Sequence, residues 1–314
     1  MNAKQYKNAV EKYIAFLPSS GASDQTVRGY GSVCRQYEKY IETERAAADS
    51  SETITAWRTY LYENGVSINT IRHYLTVLKT FFDWAVENNY CFGCPIKTNL
   101  FPKKQEIKYD LLSLDEIKKV LNERPRFQKN STFLRNRAIV VLAIGTGLRN
   151  AEIRSLALSD VDFEKGLITV RNGKGNKSRK VAFPQFVRTA LVDYVQSGMR
   201  PNRVPGNAPL FGNRSNGNLH EENGEWHEFT SVGICEIIKR YVYQCTGHKN
   251  IGAHDLRHAF ASVASYVGTP TRDISLVMGH SNELITQSVY ISILDNARAA
   301  ERVNEKMDKV FATY

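Results

Sequence analysis

The segment "GAHDLRHAFAS", residues 252–262, combines residue types that can bind either a metal ion or an anion. His254, Arg257 and His258 follow the i, i+3 and i+4 spacing that places side chains on one face of a helix. His254 and His258 have the spacing of a zinc-binding pair, whereas His254 and Arg257 suit a phosphate group. This segment alone leaves both alternatives open.

Further residues of the C-terminal half supply what a phosphate site needs. Arg149 adds a second guanidinium that can fork onto phosphate oxygens, and His280 adds a second imidazole able to move protons near neutral pH. Lys174 can protonate a departing alcohol. Tyr290, with an ordinary pKa of about 10, can form a reversible covalent ester. Together these residue types match displacement of an alcohol from a phosphodiester without a metal ion, so the phosphate alternative is favoured.

Composition supports a large, folded protein with an anionic partner. The 314 residues suffice for two domains, and 42% hydrophobic residues indicate globular cores. Lysine and arginine total 42 against 32 acidic residues, giving a net charge of +10 that favours a polyanion such as nucleic acid. The N-terminus lacks a signal-peptide pattern and the apolar run at 138–148 is too short to span a bilayer. We therefore expect a cytoplasmic protein, associated with the nucleoid and not with membranes.

The cysteines offer an alternative metal site. "CFGC" at 91–94 and "CTGH" at 245–248 together contain four zinc-ligand types. Their wide separation, and the proline that follows "CFGC", favour ordinary loop thiols instead. We expect no metal ion and no other cofactor.

Residues 1–95 are predicted to form a helical domain. Ser23 has the position of a helix cap, and apolar residues follow it at helical spacing. The last of these helices carries Arg72, His73 and Lys79 on its polar side, which indicates either a DNA-binding clamp or a solvated basic surface. Residues 96–110, with prolines and lysines, are predicted to be a linker.

Residues 111–314 are predicted to form a second domain. Ser113 and Glu116 have capping-box spacing, and a buried helix covers 134–144. "GLITV" and "KVAFP" are typical of two strands joined by the basic connection "RNGKGNKSR". The fold class is therefore mainly α with a small antiparallel β-sheet.

Five ordered motifs resemble those of the tyrosine site-specific recombinases, or phage-type integrases: "GTGLRNAEIRSL", "GKGNKSRKVAF", "HDLRHAFAS", "VMGHSN" and "TQSVYIS". The resemblance implies a helical core-binding (SAM-like) domain followed by a catalytic domain. It also implies strand cleavage through a 3′-phosphotyrosyl intermediate and a Holliday junction, without metal or ATP.

The family's site residues fall on matching positions of this chain. The resemblance assigns catalytic roles to Arg149, Lys174, His254, Arg257, His280 and Tyr290. It places a supporting acid at Glu152, which we expect to orient Arg149 at i+3. Of the other basic residues in the second motif, we expect DNA phosphate contacts from Lys177, Arg179 and Lys180.

One spacing departs from the family pattern. The stretch from His280 to Tyr290 is one residue longer than is common in the family, which weakens the assignment of the nucleophile by spacing alone. Tyr266, near the end of a helix, and Tyr314, the last residue, are poorer candidates.

The resemblance also implies partners. It predicts double-stranded DNA with inverted half-sites, a dimer on each site and a homotetramer in the recombining complex, with accessory factors that set direction. The apolar positions of the last segment suit a C-terminal helix exchanged between subunits, although packing on its own domain fits the periodicity equally well: Ala297, Ala300, Val303, Met307 and Val310.

Several functions compete with recombination. We expect integration or excision of a mobile element by transposition, with Xer-type dimer resolution as the alternative role. A DNA-binding regulator would lack a catalytic residue, and none is missing. A type IB topoisomerase-like enzyme would use the same covalent step without exchanging strands. A metal-dependent nuclease would need clustered carboxylates, which the motifs lack.

Overall fold

The chain forms two compact units, Met1–Lys108 and Tyr109–Tyr314. The computed structural model describes residues 1–105, 111–125, 130–171, 178–198, 200, 204–212, 220–222 and 225–279. The fold is mostly helical with a small antiparallel sheet, which confirms the predicted fold class.

The described part of the first unit contains four α-helices: α1 (Ala3–Phe16), α2 (Asp24–Glu44), α3 (Ser51–Glu63) and α4 (Ile68–Glu87). A serine precedes each of α2, α3 and α4 and accepts a hydrogen bond from the backbone N–H three residues later. These side chains satisfy amides that the helix itself leaves without partners. The predicted cap at Ser23 is confirmed.

Aromatic side chains fill the core of the first unit. Tyr6, Tyr37, Trp57 and Phe81 are at most 1% exposed. Tyr6 lies edge-on to Tyr37 and Phe81 at centroid distances of 5.4 and 5.1 Å, and Tyr37 contacts Trp57 at 5.0 Å. Such edge-to-face pairs add a directional contribution to area burial, so the four helices pack in one arrangement.

The segment that follows the four helices lies along α3 and α4. Ser51 Oγ donates to the carbonyl of Pro95 (2.8 Å), and Arg58 donates to the carbonyl of Leu100 (3.0 Å). Asn69 exchanges two hydrogen bonds with the backbone of Gln105. The segment predicted as a linker is therefore held against the helices over the part that the structure describes.

Two basic side chains of α4 are engaged within the first unit. Arg72 donates to the carbonyl of Pro102, and Lys79 pairs with Asp83 at 2.6 Å. His73 is exposed. Arg72 is therefore committed to the backbone that follows the helices, whereas His73 remains on the surface.

The second unit surrounds a buried helix. Its helices are α5 (Leu114–Asn122), α6 (Asn130–Thr146), α7 (Asn150–Ser155), α8 (Gln185–Gln196), α9 (Ser231–Thr246), α10 (Ala253–Tyr266) and α11 (Thr271–Met278). α6 contacts α8, α9 and α10. Residues 138–143 are at most 1% exposed, which confirms the predicted buried helix. Among the described residues, no helix has both the length and the apolar character needed to cross a membrane.

The sheet lies between α7 and α8 in the chain. It contains β1 (Val161–Asp162), β2 (Leu167–Val170) and β3 (Arg179–Ala182) in antiparallel order, with Ile168 paired to Val181. A separate hairpin is formed by β4 (His220–Glu222) and β5 (Glu225–His227). β2 and β3 confirm the predicted strands, and the basic connection at 172–177 lies outside the described residues.

Candidate active site

Arg149 is positioned by the tight turn between α6 and α7. Gly147 has φ +62°, in the left-handed region, and a Cβ there would lie 2.5 Å from the ring of Phe260. Only glycine meets both conditions without strain. The turn brings Arg149 to the position that precedes the first residue of α7, where the helical backbone offers no acceptor for the Arg149 N–H.

The Glu152 side chain supplies that acceptor and joins two arginines. Its Oε2 accepts the Arg149 backbone N–H (2.8 Å), and its Oε1 accepts Arg149 Nη1 (3.0 Å). Arg179 adds a bidentate pair at 2.7 and 2.9 Å. Burial by itself raises the pKa of Glu152, but these hydrogen bonds and charges outweigh it and hold the pKa below its usual value. Glu152 is therefore an ionised carboxylate between two guanidinium groups.

α10 carries His254 and Arg257, and its first turn is capped by Asp255, which accepts the Gly252 N–H at 2.8 Å. Arg257 is 2% exposed. Its Nη1 donates to the carbonyl of Gly147 (2.7 Å), in the turn that precedes Arg149. The two arginines predicted to bind phosphate are thus brought together, although they lie far apart in the sequence.

His254 lies beside both arginines. Desolvation of the imidazole lowers the pKa of His254, and the positive charges of Arg257 and Arg149 lower it further, while Asp255 acts in the opposite direction. The ring is therefore neutral at pH 7. A neutral imidazole can accept a proton or donate one hydrogen bond to a phosphate oxygen.

His258 is packed behind His254. It is 3% exposed, and the two rings meet edge-on with centroids 4.3 Å apart. Within the described part of the chain, no group of three or more His, Cys, Asp or Glu side chains could hold a metal ion. Of the alternative zinc residues, His248 pairs with Glu116 at 2.8 Å.

The remaining predicted site residues divide into two groups. Lys180 lies on β3 and is exposed. The others lie outside the described residues: Lys174, Lys177, His280 and Tyr290. The structure thus brings together Arg149, Glu152, Arg179, His254 and Arg257.

The sequence analysis grouped Arg179 with Lys180 as phosphate contacts, although strand alternation points their side chains to opposite faces. Side chains alternate across a strand, so Arg179 shares the face of Val181, which is fully buried. Lys180 shares the opposite face with Ala182, and both are exposed. Alternation along "RKVA" therefore separates the inward arginine from the outward lysine.

Both units match known proteins by sequence. Residues 111–297 match the phage integrase family, and residues 10–89 match the N-terminal SAM-like domain of phage integrases. The chain belongs to the phage integrase family. Members of this family are tyrosine recombinases, which break and rejoin DNA.

Relatives of this integrase-family chain match it over nearly its whole length. Tyrosine recombinase XerD of Staphylococcus epidermidis is 28% identical over 284 residues, covering 88% of this chain and 92% of the relative. Tyrosine recombinase XerA of Pyrococcus furiosus is 28% identical over 314 residues, covering 97% of each. The Tn1549 transposon integrase, solved with a circular intermediate DNA, shares the fold with a TM-score of 0.69. It is 21% identical, and the match covers 96% of this chain and 98% of that one.

Proposed function

We propose that this integrase-family chain is a site-specific recombinase that cuts and rejoins DNA at inverted half-sites without metal or ATP. The observation that carries the proposal is the meeting of Arg149, His254 and Arg257 at one place in the second unit. Two guanidinium groups beside a neutral imidazole can neutralise the charge that builds on a phosphate under attack. The DNA-bound state of the Tn1549 integrase structure supports DNA as the partner.

The proposed reaction begins when the Tyr290 oxygen attacks the scissile phosphorus. The proton of its hydroxyl passes to a histidine of the site, and Arg149 and Arg257 bind the non-bridging oxygens. The bond from phosphorus to the 5′ oxygen breaks, and Lys174 gives that oxygen a proton. The products are a 3′-phosphotyrosyl link and a free 5′ hydroxyl.

Rejoining reverses these steps with the 5′ hydroxyl of a partner strand. The phosphotyrosyl ester conserves the energy of the broken bond, so no ATP is consumed. Two such rounds, through a Holliday junction, complete recombination. His280 is assigned a further hydrogen bond to the phosphate, and Lys177 and Lys180 are assigned contacts with backbone phosphates, which raise affinity without reading sequence.

Two biological roles fit this chemistry. The first is integration and excision of a mobile element, acting on DNA in the cytoplasm, and the shared fold with a transposon integrase supports it. The second is dimer resolution, which is supported by nearly full-length similarity to proteins named XerD and XerA. The roles differ in their DNA: the ends of an element in the first case, one site present in two chromosome copies in the second.

An apolar groove in the second unit supports assembly on DNA. Its volume is about 390 Å³, and its lining includes Ile117, Phe186, Val263, Val267 and Val277. We assign this groove to the C-terminal segment of a neighbouring subunit, whose apolar positions recur at helical spacing. The segment itself lies outside the described residues. Such exchange would close a ring of four subunits around two DNA sites.

Covalent capture tests the proposed chemistry. Wild-type protein is incubated with DNA carrying inverted half-sites, in EDTA, and resolved by denaturing electrophoresis. We expect a protein–DNA adduct with wild type and none with Tyr290→Phe, because phenylalanine has no nucleophilic oxygen. Tyr266→Phe is the matched control and should still form the adduct.

Two results would defeat this proposal. One is the absence of any adduct with wild type, and the other is an undiminished adduct with Tyr290→Phe. If the protein instead relaxes supercoiled DNA and yields no exchanged strands, it acts as a type IB topoisomerase-like enzyme.

A further inference from the structure

The last turn of α11 is held by three arginines from three other segments. The carbonyl of Val277 accepts from Arg179 Nε (3.0 Å). The next carbonyl, of Met278, accepts from Arg257 (2.6 Å), and that of Gly279 accepts from Arg149 (2.7 Å). Carbonyls at the end of a helix have no partner within it and carry partial negative charge. Consecutive carbonyls are thus each bound by a different guanidinium.

Arg179 differs from Arg149 in what it contacts. Its Nη1 and Nη2 donate to Glu152 at 2.7 and 2.9 Å, and its Nε donates to Val277. All three guanidinium nitrogens are therefore used within the protein. The side chain is 16% exposed, against 31% for Arg149.

Gly279 allows the guanidinium of Arg179 to lie against the turn. A Cβ at this position would lie 3.1 to 3.2 Å from the Arg179 guanidinium. Gly279 also has φ +63°, which closes α11 in a left-handed turn. Arg179 therefore fits against the residue that comes immediately before His280 in the chain.

The charges around Glu152 show what Arg179 contributes. Glu152 is a single carboxylate between two guanidinium groups, so this cluster carries one net positive charge. Without Arg179, Glu152 would neutralise Arg149 alone, and the cluster would offer a phosphate no net charge. Arg179 therefore balances the charge of Glu152 and leaves that of Arg149 unmatched within this cluster.

We propose that Arg179 is a positioning residue that keeps the charge of Arg149 available to the scissile phosphate and fixes the turn before His280. It does not contact a DNA phosphate itself. This inference rests on the proposed recombinase function. It joins the β2–β3 hairpin, which carries Lys174 in its connection, to the arginine site.

Single-turnover cleavage at saturating DNA tests the role of Arg179. We expect Arg179→Gln to slow cleavage about 100-fold, the scale of loss when a catalytic group is misplaced. Arg179→Lys keeps the charge but not the fork, so it should recover part of the rate. The double variant Glu152→Gln/Arg179→Gln should cleave faster than Arg179→Gln, because it removes the carboxylate that cancels Arg149.

Lys165→Gln is the matched control from the same sheet. Lys165 lies in the turn between β1 and β2, its side chain is 74% exposed, and its ammonium lies 3.7 Å from Asp162. Lys165 has no part in the proposed site, so its removal should leave the cleavage rate at saturating DNA equal to that of wild type. Thermal melting of each variant shows whether the second unit is folded at the assay temperature.

A methylphosphonate at the scissile position separates positioning from a general loss of structure. Replacing one oxygen by methyl removes the negative charge that Arg149 binds. If Arg179 acts through the charge of Arg149, the defect of Arg179→Gln shrinks on this substrate, whereas a misfolded site would be equally slow on both.

Two outcomes overturn the inference. In the first, Arg179→Gln cleaves bound DNA at the wild-type rate while its DNA affinity depends less steeply on salt, which would make Arg179 a phosphate contact. In the second, the double variant cleaves no faster than Arg179→Gln, which would exclude a role for Arg179 in balancing the charge of Glu152. The covalent adduct of the wild-type protein separates failure of this inference from failure of the proposed function. If wild type forms no adduct, the recombinase function itself is excluded.

Discussion

Arg149 divides its guanidinium between the protein and the proposed substrate. Two of its N–H groups bind Glu152 and the carbonyl of Gly279, and 31% of the side chain stays exposed. A guanidinium has five N–H donors in a rigid fork, so donors remain for phosphate oxygens. Its charge also acts on His254, and this effect can be measured.

We predict that His254 titrates below its ordinary pKa of about 6.5 and that Arg149→Gln raises this pKa. Desolvation is the largest cause of the lowered pKa, and removing a nearby positive charge makes protonation easier. Cleavage that needs a neutral imidazole should therefore persist at pH 6.5 in wild type. An NMR titration of the His254 ring protons measures both values.

Arg154→Gln is the control for this titration. Arg154 lies on α7, the helix that Arg149 precedes, but it pairs with Glu228 at 2.9 Å. Arg154→Gln should leave the pKa of His254 equal to that of wild type. Two results would contradict this prediction. One is a His254 pKa at or above about 6.5 in wild type, and the other is a pKa that Arg149→Gln does not change.

At the scale of the elements, the turn between α6 and α7 positions Arg149 and has room only for glycine at 147. We predict that Gly147→Ala lowers the free energy of unfolding by at least about 2 kcal/mol, because backbone strain and a contact with Phe260 add together. Gly247→Ala is the matched control, because Gly247 has φ +84° with open space around it. It should cost only about 1 kcal/mol of strain. Urea denaturation followed by circular dichroism compares them, and equal losses would exclude the packing contribution.

The elements themselves were predictable where local signals are strong. The capping box at Ser113 and Glu116, the buried helix α6 and the strands β2 and β3 were all predicted. The capping box depends on contacts between residues three apart, and the helix and strands depend on the spacing of their apolar residues. The packing of residues 95–105 along α3 and α4 was not predicted, because it is made by side chain to backbone hydrogen bonds that leave no periodic pattern.

The site was predictable as a set of residues but not as a network. Arg149, His254 and Arg257 were identified by motif, and the structure brings them together. The bonds from arginines to the carbonyls of 277–279 involve main-chain oxygens, which every residue type carries. No residue pattern can reveal them. The inward direction of Arg179 was available from strand alternation, but its partner Glu152 lies 27 positions away.

At the scale of the whole molecule, assembly depends on what fills the apolar groove. We predict that Val303→Asp combined with Met307→Asp weakens assembly of DNA-bound subunits at least roughly 30-fold. Losing about 2 kcal/mol of apolar burial gives this factor. Binding of one subunit to a single half-site should stay unchanged. Native gel shifts with one and two half-sites measure both.

Lys309→Asp is the control for this prediction, because it changes the charge of the same segment by the same two units at a position opposite the apolar ones at helical spacing. Packing of the segment on its own domain gives a different result. The double variant would then melt at a lower temperature while its DNA complexes kept their size, and the exchange between subunits would be excluded.

The arginine contacts with the end of α11 also shape how this protein can diverge. Because the accepting atoms belong to the main chain, the site places no demand on the side chains at 277 and 278. Val277 instead lines the apolar groove. Mutations of Val277 can accumulate as the groove adapts to a changing neighbour, without removing the main-chain oxygen that Arg179 binds. Gly279, which follows α11, has no such freedom, because its φ of +63° and the Arg179 guanidinium beside it disfavour any side chain. We therefore expect substitutions to be tolerated at 277 and excluded two residues later.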